Sequence, residues 1–149
     1  MLLRSLLILG LGVVACKTAK VTPTEKPKIS IGTNFTLNGV ATDKQYGFFP
    51  DKPIKIGCTE ANEGVRNEQR FLAALAGPNG EIVKWRRKQN CCAFKTDNPL
   101  ALAGSGMLDV YEVKVADSNE IRLIYINMYD CGPLLAPVGF TVKELPRLY

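Results

Sequence analysis

Alternation of apolar and polar side chains, the two-residue period of a half-buried strand, recurs along the chain. It is strongest over residues 108–115, LDVYEVKV, and 120–129, EIRLIYINMY. Between them stands the polar run Ala116-Asp117-Ser118-Asn119, so the two segments read as a β-hairpin. The second strand carries Ile124, Ile126 and Met128 on one face and Leu123 and Tyr125 on the other. That pattern predicts a central strand covered on both sides. Shorter strand signals lie at 34–40, 53–57 and 81–88, the second opened by Pro53, which a strand tolerates at its first position. Residues 67–76, NEQRFLAALA, are rich in helix formers, with Val65, Leu72, Leu75 and Ala76 near one face at helical spacing. Gly77-Pro78 supplies a stop. The helix is the preferred reading. The competing one makes this segment a strand that turns through Gly77-Pro78-Asn79-Gly80 into the strand at Glu81. Residues 98–107, NPLALAGSGM, read as a loop whose glycines lack phosphate-loop spacing. Pro133, Pro137 and Pro146 make the C-terminus irregular. The expected fold is α+β: a β-rich single domain with antiparallel hairpins and one short helix.

Residues 1–16, MLLRSLLILGLGVVAC, follow a different pattern. Arg4 precedes an apolar run over 6–15. A spanning helix needs about 20 residues, so this run fits a secretory signal instead. Val13-Val14-Ala15-Cys16 resembles the bacterial lipobox, in which the cysteine is lipidated and becomes the new N-terminus. The competing reading is a buried N-terminal helix with a chance cysteine. The expected organisation is a lipoprotein signal peptide at 1–15, lipidated Cys16 with an extended tether at 16–28, and a globular domain at 29–149. Two or more acyl chains anchor a protein stably, so the membrane is the expected partner, through the N-terminal lipid. Lys17 stands where Asp would resemble an inner-membrane retention signal. The expected location is therefore the bacterial cell envelope, at the outer membrane.

Charge changes the picture less than its total suggests. The chain carries a formal +5 and a pI near 9.0. Residues 17–28, KTAKVTPTEKPK, hold four lysines against Glu25 and read as an extended linker. With Arg4 also set aside, residues 29–149 hold 14 basic and 13 acidic side chains. The basic excess thus belongs to the leader and tether, where it suits anionic head groups. Nucleic acid is not an expected partner. The chain has no histidine, which excludes Ser-His-Asp and Cys-His nucleophiles, His-ligated zinc and His-ligated haem. No cofactor is expected.

Beyond Cys16 the cysteines are Cys58, Cys91, Cys92 and Cys131. An even number in an exported domain points to disulfides. Neighbours on a strand face opposite ways, so Cys91 and Cys92 are expected to bond Cys58 and Cys131, in either order, rather than each other. Each bond would close a loop of about 30 to 40 residues and contribute roughly 3–4 kcal/mol. Reduced thiols are the main competing reading. Adjacent cysteines are poor zinc ligands, and no CxxC redox motif is present.

Lys84-Trp85-Arg86-Arg87-Lys88 is the densest basic run and holds the only tryptophan. It is a candidate patch for phosphate, sugar acids or lipopolysaccharide; the plainer reading is a solvated strand face with Trp85 buried. Asp109, Glu112 and Asp130 are candidate paired carboxylates of a glycosidase, or ordinary surface charges. Tyr111, Tyr125 and Tyr129 either line a binding face or pack within strands.

The strings NEQRFLAALAGPNGEIVKW, NCCAFKT, GMLDVYEV, IYINMYD and PVGF resemble a family of small bacterial outer-membrane lipoproteins of unknown function. Members often carry the name 2-dehydro-3-deoxyphosphooctonate aldolase. The resemblance spans roughly residues 53–140 and implies the anchor and the domain, with no catalytic residue to carry over. The enzyme of that name resembles (β/α)8 barrels, which take about 250 residues. The expected function is that of a non-enzymatic, lipid-anchored accessory or binding subunit with an envelope protein partner. The alternatives are an envelope carbohydrate-active enzyme, or an aldolase acting through a desolvated lysine.

Overall fold

The structure is a computed structural model that describes residues 35–57 and 63–144. The expected signal peptide, Cys16, the tether and Cys58 lie outside these residues. The described elements are β1 (Ile54–Lys55), α1 (Val65–Ala73), β2 (Leu75–Ala76), β3 (Val83–Lys95), β4 (Ser105–Val115), β5 (Arg122–Asn127) and β6 (Thr141–Val142). Among the described residues the domain is β-rich with one short helix, as the sequence pattern predicts. Four strands form a sheet in the order β1-β5-β4-β3, and β2 pairs with β6 in a small second sheet. All pairings are antiparallel except that of β1 with β5.

The hairpin predicted over 108–129 occupies the two central strands. Ile124 pairs with Tyr111 and Ile126 with Asp109. Tyr111, Val113, Ile124 and Ile126 share one face and meet Phe71 and Leu72 of α1 in the core, closed by Ile54, Leu134, Ala136 and Phe140. The opposite face is also covered at its centre, since Leu108 and Val110 are buried. Phe71 and Leu72 are fully buried, and each large apolar side chain so removed from water stabilises the fold by about 1.5–3 kcal/mol.

The segment at 67–76 divides between its two readings. Residues through Ala73 are helical, with Ala74 as the C-cap. Leu75 and Ala76 then pair with Val142 and Thr141, and Ala76 bridges to Ile82 across the turn. The helix stops at Ala74 as Leu75 and Ala76 take their backbone partners from β6, with both side chains buried there. Of the strand expected at 34–40, the described residues 35–40 hold isolated bridge positions only, at Phe35 and at Val40, which bridges to Ala136. The strand expected at 81–88 runs on to Lys95. No helix among the described residues is long and apolar enough to cross a membrane.

Candidate functional site

The cation run lies on β3, an edge strand of the sheet. All of β3 after Val83 is exposed or half-exposed. Lysine and arginine on such an edge discourage pairing with another chain. Opposite β3, β4 presents Glu112 and Asp109 on its two different faces. Arg86 donates to Glu112 at 2.6 Å, and Lys88 lies 3.4 Å from the same carboxylate. These cations hold the Glu112 carboxyl below its usual range. Arg87 turns to the other face and donates to Asp109 at 2.5 Å. Trp85, expected to be buried, is 36% exposed. Its position on a solvated edge strand leaves the ring covered only in part.

Lys84 is the remaining member of the run. It sits directly across from Lys114, and neither makes an ion pair or side-chain hydrogen bond among the described residues. Like charges in register across a ladder are destabilising. The two lysines line a cleft of about 210 Å³ with Trp85, Arg86, Glu112 and exposed Ile121.

Arg87 also closes a buried polar network. Glu68, on α1, is fully buried, and Asp109 is 2% exposed. Tyr111 donates to Glu68 Oε2 at 2.6 Å. The remaining oxygens, Glu68 Oε1 and Asp109 Oδ2, are buried and accept from no other donor. Asp109 neighbours Glu68 and raises its carboxyl, so a proton on Glu68 would give that side a hydrogen to donate where two acceptors now stand without one. Burial, with Asp109 beside it, pushes the Glu68 carboxyl up to about 8 against the pull of Tyr111 and Arg87. The Tyr111 hydroxyl is raised by burial and by Glu68. With that proton in place the network is neutral: one carboxylic acid, one carboxylate and one guanidinium.

The three candidate carboxylates do not converge. Asp109 belongs to the buried network and Glu112 to the cation row on the opposite face. Asp130 accepts from Thr96 Oγ1 at 2.6 Å and Asn127 Nδ2 at 3.0 Å, tying the end of β3 to the end of β5. Neither the cleft of about 210 Å³ nor one of about 350 Å³ is lined by two of them. Tyr111 packs in the core, and Tyr129 meets Phe94 edge-on at 5.9 Å. No lysine among the described residues is buried, so none is a desolvated Schiff-base former. The larger cleft, about 350 Å³, is lined by Glu81, Asp117, Glu120 and Arg122 among others. Arg122 is already held there by Glu120 at 2.7 Å and lies 5.7 Å from the Phe48 ring.

The cysteines do not pair as expected, Cys91 and Cys92 with Cys58 and Cys131. Cys91 and Cys92 bond each other, and Cys131 is disulfide-bonded elsewhere. Strand alternation breaks here because Cys92 is not extended. It has φ 57, and the ladder skips it, passing from Cys91↔Leu108 to Ala93↔Met107. At this bulge two neighbouring side chains come to one side. Beyond it the hairpin ends in a loop with Leu100 61% and Leu102 87% exposed.

Sequence reasoning missed Glu68. The available signal was the pair Asn67-Glu68 one turn ahead of Phe71-Leu72, which places two polar side chains on the apolar face of a short helix. Comparison with protein-family models, with curated proteins and with solved structures finds no match to this chain.

Proposed function

We propose that this chain is a lipid-anchored protein of the bacterial envelope, at the outer membrane, that acts by binding rather than by turnover, as an accessory subunit. The observation that carries the binding reading is the Lys84–Lys114 pair. Two cations face each other across β3 and β4, neither has an acidic partner among the described residues, and both open onto a cleft. A phosphate or carboxylate between them would relieve their repulsion and accept charge-assisted hydrogen bonds. Trp85 and Ile121 offer apolar contact at the same cleft. The class of ligand is therefore an anionic group carried on a partly apolar body. The lipobox-like end at Cys16 supports the envelope setting.

Titration of the protein with pyrophosphate, and separately with phosphatidylglycerol vesicles, tests the binding reading. Saturable binding that weakens at least tenfold in Lys84→Ala supports it, and indifference to that substitution rejects it. Cys16→Ala tests the anchor: it should leave an unprocessed precursor and release the protein from the membrane fraction. Unchanged mobility and fractionation would reject lipidation.

A further inference from the structure

The Cys91–Cys92 bond closes a ring with no residue between its ends. Cross-links stabilise chiefly by removing loop entropy from the unfolded chain, and the gain grows with the loop. A bond between neighbours removes almost none, so stapling the domain does not account for it. The bond is also accessible. Cys92 is exposed and Cys91 half-exposed, on the edge strand of the sheet. The ring coincides with a backbone irregularity, since Cys92 occupies the left-handed region and stands out of the ladder. Non-glycine residues visit that region at a cost. Just beyond the ring, Phe94 packs on Tyr129 and pairs with Gly106, whose added Cβ would lie 2.7 Å from the Phe94 ring.

We propose that Cys91–Cys92 is a thiol–disulfide exchange site for a dithiol, and that its redox state sets how the end of the β3–β4 hairpin pairs. One thiolate of the dithiol attacks the Sγ of Cys92, the more exposed residue of the two. The Cys91–Cys92 bond breaks, its electron pair leaves on Cys91 Sγ, and that thiolate takes up a proton. The second thiolate of the dithiol then attacks its own partner sulfur in the mixed disulfide, releasing Cys92 as a thiolate that is protonated in turn. The dithiol ends as a disulfide, and the cysteine pair has gained two electrons and two protons. Reduction frees Cys92 from the ring. It can then rejoin the ladder as an extended residue, which shifts the pairing of the following residues by one. A one-residue slip reverses the face that each side chain presents, so Phe94 leaves Tyr129 and the exposed loop with Leu100 and Leu102 changes its seat.

The full chain is treated with graded dithiothreitol, alkylated and mapped by mass spectrometry, and amide exchange is followed in parallel. Cys91 and Cys92 should become alkylated at dithiol concentrations at least tenfold below those that open the Cys131 bond. Exchange at residues 93–95 and 105–107 should then rise at least tenfold while 110–115 stays protected. The double variant Cys91→Ser/Cys92→Ser should show the same exchange without reductant. Alkylation of Cys131 first, or together with the pair, overturns the exchange site. Unchanged protection at 93–95 in both the reduced protein and the double variant overturns the switch.

Discussion

The Tyr111 hydroxyl donates a 2.6 Å hydrogen bond to Glu68 Oε2 inside the core, between residues 43 positions apart. It joins α1 to the central strand β4 through polar groups set among apolar core side chains. Glu68 accordingly folds as a carboxylic acid, while the unfolded chain exposes an ordinary glutamate.

That difference makes stability depend on pH. Between the ordinary value of 4.5 and about 8, the native state holds a proton that the unfolded chain has released. Stability therefore falls as pH rises through this window, by at most about 1.4 kcal/mol per unit for one proton, and levels off above it. Glu68→Gln should flatten the profile. Its amide oxygen still accepts from Tyr111, and its NH2 donates to Asp109. Urea midpoints at pH 5, 7 and 9 compare the two proteins, and parallel profiles would refute the shared proton.

Arg87 and Arg86 are neighbours with opposite consequences. Arg87→Ala leaves the buried Asp109 carboxylate without its cation, a loss of about 1–3 kcal/mol for an unsatisfied buried group. Arg86 is 77% exposed, and Lys88 also stands at the Glu112 carboxylate, so Arg86→Ala should cost at most about 1 kcal/mol, less than Arg87→Ala. Equal losses in both variants would mean that burial does not separate the two faces of β4.

Gly106 is where the hairpin end closes on its own side chains. A Cβ there would stand 2.7 Å from Phe94 Cζ and 2.9 Å from Tyr129 Cδ2. Gly106→Ala should cost about 1–3 kcal/mol as overpacking. Amide exchange should rise around Phe94 and Tyr129 ahead of β5. A neutral substitution would show that the two rings move aside freely.

Lys84→Glu places an acid opposite Lys114 in register. It should raise stability by about 0.2–1 kcal/mol, the usual worth of an opposite-charge cross-strand pair, and abolish binding of pyrophosphate. Stability gained with binding retained would move the anion site elsewhere.

The periodicity of the chain determined the centre of the sheet. Alternation over 108–115 and 120–129 marks strands because a pleat exposes every second side chain, and these segments became β4 and β5. It also determined that the basic run would be solvated, since successive cations cannot all turn inward. Tertiary structure decided the rest. Leu75 and Ala76 left the helix because β6, some 65 residues later, offered them a ladder. Glu68 became buried because Tyr111 and Asp109, distant in sequence, supply its partners. Cys91 and Cys92 found each other because a bulge turned Cys92 out of the strand, a local φ that alternation cannot foresee. Asp109 and Glu112 parted because three positions along a strand put them on opposite faces. Which face was enclosed depended on the helix and the C-terminal segment that packed over it.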